Sequence, residues 1–167
     1  MKLDLWLRYS RSVAATTSQF LITTNLHLRN NKVNYMPILN VKLSAKPSPE
    51  LTQKVATALI ELTAQILKKK PEITAVAVDY VDPMNWVVGG KTLAEQNKSS
   101  FYLDIKIVDG TNTKDEKAQY VTQVFTHLGN LLGELHSESY IYVHDVRADA
   151  YGFGGLTQEY RYIKAKT

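Results

Sequence analysis

From residue 37 onward the chain alternates apolar and polar positions, switches to a spacing of three and four, returns to a strand-like run, and then repeats the whole cycle. Leu39, Val41 and Leu43 alternate with polar neighbours, the period of a half-buried strand. Residues 44–47 read as a turn, Ser48 as a helix N-cap and Pro49 as the first helical residue, where its missing N–H does no harm. Leu51, Val55, Leu59, Leu62 and Ile66 then form one apolar helical stripe. Lys68, Lys69 and Lys70 suit the negative end of the helix dipole and read as a solvated helix end, and Pro71 stops the helix. The second strand covers residues 73–81, and its apolar run over 75–78 predicts burial on both faces.

The second cycle uses different residues for the same plan. Leu103, Ile105 and Ile107 give the strand, residues 109–112 the turn, and Thr113 with Glu116 a capping box. Tyr120, Val124, Leu128, Leu131 and Leu135 carry the helical stripe, and residues 140–146 form a final strand. Sliding the chain along itself by 65 positions lays Trp86 and the Gly89-Gly90 pair on Tyr151 and Gly154-Gly155, and Val81 on Val146. Sliding by 64 lays Ile38 to Leu43 on Tyr102 to Ile107. Two copies, 37–97 and 98–163, therefore make one domain, joined through the polar segment 97–100.

A β-α-β unit with parallel strands has one favoured crossover hand, so each copy supplies two strands and a helix on one face. Two such units related by a pseudo-twofold predict an α+β fold, a four-stranded sheet with both helices on the same side. The opposite face of that sheet would be bare, which calls for burial against other subunits.

Composition narrows the classes. The chain has 167 residues, 44% apolar and 22% charged, enough for a compact core. With no cysteine, disulfides, thiolate metal sites and a cysteine nucleophile are excluded, and a reducing, cytoplasmic setting fits. No apolar run approaches the ~20 residues of a membrane helix. The net charge of +4 hints at nucleic acid until it is divided. Residues 1–36 hold Lys2, Arg8, Arg11, Arg29 and Lys32 against Asp4 alone, so the rest of the chain is balanced and a nucleic-acid partner is not expected. That leader has no clean period of 2 or 3.6. It reads as an upstream start codon, a targeting segment or an added arm, the first being favoured.

Candidate chemistry begins at Met36-Pro37. If translation starts at Met36 and the methionine is trimmed, Pro37 becomes an amino-terminal secondary amine, a base; inside a chain its nitrogen is an amide without a basic lone pair. Moving a proton between oxygen and carbon of an enol needs a base with a pKa near neutrality, and an apolar pocket lowers the pKa of an amine. Trp86 is a candidate wall for such a pocket. The competing reading has Pro37 merely opening an edge strand, where a missing donor is tolerated. Phe101 begins the second copy and offers no amine, so one site per chain is expected. His127, His136 and His144 lack metal-ligand spacing, no metal or other cofactor is expected, and neither glycine pair precedes a helix as a phosphate loop would.

Pro37 after Met36, the β-α-β unit, the Trp86-Val-Val-Gly-Gly turn 49 positions on, and the duplication together resemble the tautomerase superfamily, in its fused form with two 4-oxalocrotonate-tautomerase-like units. The resemblance spans residues 37 to about 163. It implies a homotrimer and cofactor-independent isomerisation of small α-keto acids or their enols, or related chemistry on halogenated acrylic acids, with Pro37 as general base. Short members of the family carry arginines that fall here on Pro47, and on Ala75 and Tyr140; neither arginine is present. Lys46, and Arg147 with Tyr140 or Tyr142 delivered from the second copy or an adjacent subunit, are the candidates for holding a substrate carboxylate. If Pro37 stays internal, the resemblance implies a catalytically silent oligomeric scaffold or binding protein of the same fold.

Overall fold

Strand β1 (Ile38–Leu43) buries Leu39, Val41 and Leu43 and turns Asn40 and Lys42 outward, as its alternation requires. This computed structural model describes residues 36–167; expectations placed on residues 1–35 lie outside the described residues. Residues 36–164 belong to one compact unit. Helix α1 (Pro49–Gln65) is capped by Ser48, whose hydroxyl accepts from the Leu51 N–H at 3.3 Å. Strand β2 (Ala75–Tyr80) returns parallel to β1. A hairpin follows, β3 (Val87–Val88) and β4 (Lys91–Thr92), turned by Gly89 and Gly90 with φ of +61° and +82°. Two positive φ values in a two-residue loop match the right-handed twist of the flanking strands and favour glycine.

The second copy repeats this course with β5 (Phe101–Val108), α2 (Lys114–Leu132), β6 (Tyr140–Val146) and the hairpin β7 (Gly152–Phe153) and β8 (Leu156–Thr157), and then adds α3 (Gln158–Lys164). The capping box is complete: Thr113 Oγ1 accepts from the Glu116 N–H, and the Glu116 carboxylate accepts from the Thr113 N–H.

The sheet order is β2-β1-β5-β6, with β1 and β5 antiparallel at the centre and a parallel partner outside each. One face packs on both helices. Leu39, Val41, Leu43, Phe101, Leu103 and Ile105 meet Val55, Leu59 and Leu62 from α1 and Tyr120, Val124 and Leu128 from α2. The two helices also meet through hydroxyls, Thr63 and Tyr120 at 3.0 Å. The other face is uncovered and carries rows ending in Tyr140, Tyr142 and His144 on β6, as the bare face expected from the sequence.

Three expectations change. Strand β2 is an edge strand with its outward positions exposed and its inward ones only partly buried, so the apolar run at 75–78 reflects small alanines at the surface. The lysine run is not uniformly solvated: Lys69 is buried and its Nζ donates to Thr111 Oγ1 at 2.8 Å. Pro37 opens an interior strand, not an edge one; its carbonyl accepts the Ala75 N–H at 3.2 Å. Among the described residues no helix is long and apolar enough to cross a membrane.

Candidate active site

Pro37 is buried at the start of β1. Because β5 runs antiparallel to β1, the start of β1 lies beside the end of β5, and β6 ends at the same side. The loop after β6 therefore returns toward Pro37. It brings Tyr151, whose hydroxyl donates to the Met36 carbonyl, with the Ile38 N–H acting on the same oxygen, so the phenol lies against the chain beside Pro37. Burial pushes the Tyr151 phenol above its ordinary pKa, and the Ile38 N–H opposes that in part. Its oxygen stays protonated at neutral pH and can donate.

Local structure fixes this tyrosine. The hairpin after it closes with the Leu156 carbonyl so near Gly152 that a Cβ there would stand 2.5 Å from the oxygen. The Gln158 N–H donates to the Tyr151 carbonyl at 2.8 Å. Arg161 then ties α3 to the hairpin: its Nη2 donates to the Phe153 carbonyl at 2.9 Å and its guanidinium lies 3.8 Å over the Phe153 ring. The Gln158 side chain is fully buried with both polar atoms unbonded, and Arg161 Nε is likewise buried and unbonded.

The strand register adds a cation. Lys106 pairs with Ile38 across the β1–β5 seam, on the uncovered face. Its Nζ is held by both Asp104 carboxylate oxygens at 2.9 and 2.8 Å, and His144 Nε2 stands 3.5 Å from the same carboxylate.

Of the residues expected from the sequence, Pro37 and Arg147 share an end of the sheet, since Arg147 directly follows β6. Arg147 is exposed, and its guanidinium is occupied by a two-pronged pair with Asp149, at 3.0 and 2.7 Å. Lys46 follows the far end of β1 and is exposed. Trp86 and Tyr140 also belong to that far end. Trp86 lines a cleft with Lys42 and Tyr102, and Tyr140 pairs in register with Tyr102. At about 3.3 Å per strand residue, Lys42 is roughly 16 Å along β1 from Pro37. Within one chain, then, Trp86 does not wall Pro37. Tyr140 is half exposed and donates to Glu138 Oε2 at 2.6 Å, which raises its phenol pKa.

Tyr151 and Lys106 were the residues that sequence reasoning passed over as site residues. The signal was present in the repeat: Tyr151 falls on Trp86 at the offset of 65, and Lys106 on Lys42 at the offset of 64. The pseudo-twofold hands each copy's aromatic residue to the other copy's strand start.

Residues 37–96 match the family model described as "Tautomerase enzyme". No curated protein sequence matches the chain. Among solved structures, a fused 4-OT described as a wild-type symmetric trimer is similar at 14% identity and a TM-score of 0.62, over 73% of this chain and 96% of that one. A second fused 4-OT, described as an asymmetric trimer, shares 18% identity at a TM-score of 0.62, over 74% and 97%. A macrophage migration inhibitory factor homologue from Prochlorococcus marinus shares 19% at a TM-score of 0.60, over 72% and 97%. At these identities the likeness to the solved structures is one of fold.

Proposed function

We propose, from the match of residues 37–96 to the tautomerase family and from the fold the chain shares with fused 4-OT structures, that it is a cofactor-independent isomerase of small α-keto acids or their enols, with Pro37 as an amino-terminal general base. The observation that carries this reading is the buried Pro37 at the head of the family match, with the Tyr151 hydroxyl against the chain beside it. When Pro37 begins the chain, its amide becomes a secondary amine in surroundings that disfavour its charged form. The amine takes the enol hydroxyl proton as the oxygen becomes a carbonyl, and the carbon end receives a proton from the resulting ammonium. The base is regenerated and nothing is consumed.

Tyr151 loses the Met36 carbonyl in that form, which frees its O–H to donate to the substrate oxygen where charge develops. The substrate carboxylate needs a cation. Lys106 is supported by its register beside Ile38, though it serves only after release from Asp104, and Arg161 is supported by its link to the Tyr151 hairpin. Arg147 serves only after release from Asp149. The uncovered sheet face, with the trimeric state described for both fused 4-OT neighbours, supports a homotrimer.

A second reading is favoured by one contact. With residues 1–36 attached, Pro37 is an amide whose preceding carbonyl is held by Tyr151, and such a chain is a silent binding or scaffold protein. Intact mass of protein from its natural source separates the two, since the enzyme requires a chain beginning at Pro37. On protein so begun, Pro37→Ala abolishes conversion of an α-keto acid enol, followed by loss of enol absorbance; unaltered rates reject Pro37 as the base.

A further inference from the structure

The end of the sheet away from Pro37 carries a cleft that the proposed reaction does not use. It has a volume of about 420 Å³ and is lined by Lys42, Val81, Asn85, Trp86, Val87 and Tyr102. Each of these positions has its counterpart at the Pro37 end through the repeat: Lys42 corresponds to Lys106, Val81 to Val146, Trp86 to Tyr151 and Tyr102 to Ile38. The place of Pro37 itself is taken by Phe101, which is fully buried in the core. The repeat therefore sets a lysine, a valine and an aromatic ring at matching positions of both ends, with a buried phenylalanine here where Pro37 stands at the other.

The two ends differ in how their polar groups are occupied. Lys106 is neutralised by Asp104 and the Tyr151 hydroxyl is engaged. Lys42 makes no ion pair or hydrogen bond among the described residues, although Asp79 is its register partner on β2. The Trp86 indole N–H, the Asn85 side-chain amide and the Tyr102 hydroxyl likewise have no hydrogen-bond partner among the described residues. One free cation, three neutral polar groups that can donate, an indole and two valines converge on a space that holds a single-ring molecule.

We propose that this cleft is a second, non-catalytic binding site for small planar carboxylates. The carboxylate meets Lys42 and one of the neutral donors, and the flat apolar body lies against Trp86 and the valines. Lys42 and Tyr102 lie on the uncovered sheet face, so in a homotrimer the neighbouring subunit borders the cleft; in the single chain Lys42 is exposed, its contribution to affinity is modest, and the aromatic wall carries much of the binding. The site exists whether or not Pro37 carries a free amine.

The test follows the Trp86 indole N–H resonance in nitrogen-15-labelled full chain during titration with benzoate. A Trp6→Phe background removes the only other tryptophan. The expected result is a saturable shift, weakened about fivefold by Lys42→Gln, unchanged by Pro37→Ala, and weaker still for the uncharged isostere benzamide. The benzamide comparison needs no variant and stands even if Lys42→Gln alters assembly. Absence of a saturable shift, equal affinity for benzamide, or a shift that Pro37→Ala abolishes and Lys42→Gln spares would each overturn the proposal. Loss of enol turnover on its own bears only on the Pro37 site.

Discussion

The Tyr151 hydroxyl donates to the carbonyl of Met36, 115 residues earlier in the chain, and the Ile38 N–H acts on the same oxygen beside Pro37. No local signal makes that contact; it depends on the antiparallel pairing of β1 with β5, which brings the end of the second copy to the start of the first. In protein beginning at Pro37, Tyr151→Phe should lower kcat by about 10- to 100-fold with a smaller effect on KM, because the lost donor acts on developing charge. Steady-state kinetics on an α-keto acid enol, with far-ultraviolet circular dichroism as a folding control, makes the comparison. A variant with wild-type kcat removes Tyr151 from the chemistry.

The pH dependence of the same reaction separates base from donor. With Pro37 as the proposed base, only its uncharged amine accepts a proton, so kcat/KM should rise with pH through the amine pKa. Burial holds the Tyr151 phenol above its ordinary 10.0, so the tyrosine remains a donor throughout that rise. Tyr151→Phe should scale the profile down and leave the rising limb in place. Displacement of that limb would assign the titration to the tyrosine.

Alkaline stability reports on a different tyrosine. Tyr120 is fully buried, bonded to Thr63 Oγ1 at 3.0 Å, and its phenol pKa is raised far above the ordinary 10.0 by burial. A raised folded-state pKa leaves its stability contribution intact below pH 10, where both states are protonated. Above pH 10 the unfolded chain ionises while the folded one does not, and stability falls. Urea midpoints should drop above pH 10, and Tyr120→Phe should flatten that drop. The variant should also cost about 1 kcal/mol at pH 7 through the lost hydrogen bond. An identical alkaline slope in both proteins assigns the fall to other groups.

The uncovered sheet face gives an assembly prediction. Tyr142 is 46% exposed and lies between Tyr102 and His144, with ring centroids at 5.5 and 5.8 Å. If three copies bury this face, Tyr142→Glu places an unpaired carboxylate in the interface and should shift the light-scattering mass from trimer to monomer. A wild-type mass of one chain would remove the trimer at once.

Much of the architecture was legible because each layer of sequence signal agreed with the next. Alternation at Leu39, Val41 and Leu43, the Val55–Leu59–Leu62 stripe, the Thr113–Glu116 box and the offset of 65 all point to the β-α-β duplication that the fold displays. What escaped were properties of pairing. Residues 75–78 look like a strand buried on both sides until the sheet order puts them at its edge. Trp86 looks like the wall of the Pro37 pocket because both lie in one copy, yet the seam between β1 and β5 carries Trp86 to the other end and substitutes Tyr151. Lys69 reads as solvated because nothing local announces Thr111.

That central seam also sets the smallest unit able to own a finished pocket. A lone β-α-β copy would carry a strand start with no aromatic roof, since the roof belongs to its sister. Joining the copies in one chain makes each hostage to the other's hairpin: a change at residue 151 is felt at residue 37, and one at residue 86 beside residue 102. Such cross-ownership lets the residues at the two ends of the sheet diverge within one chain while neither half can be discarded.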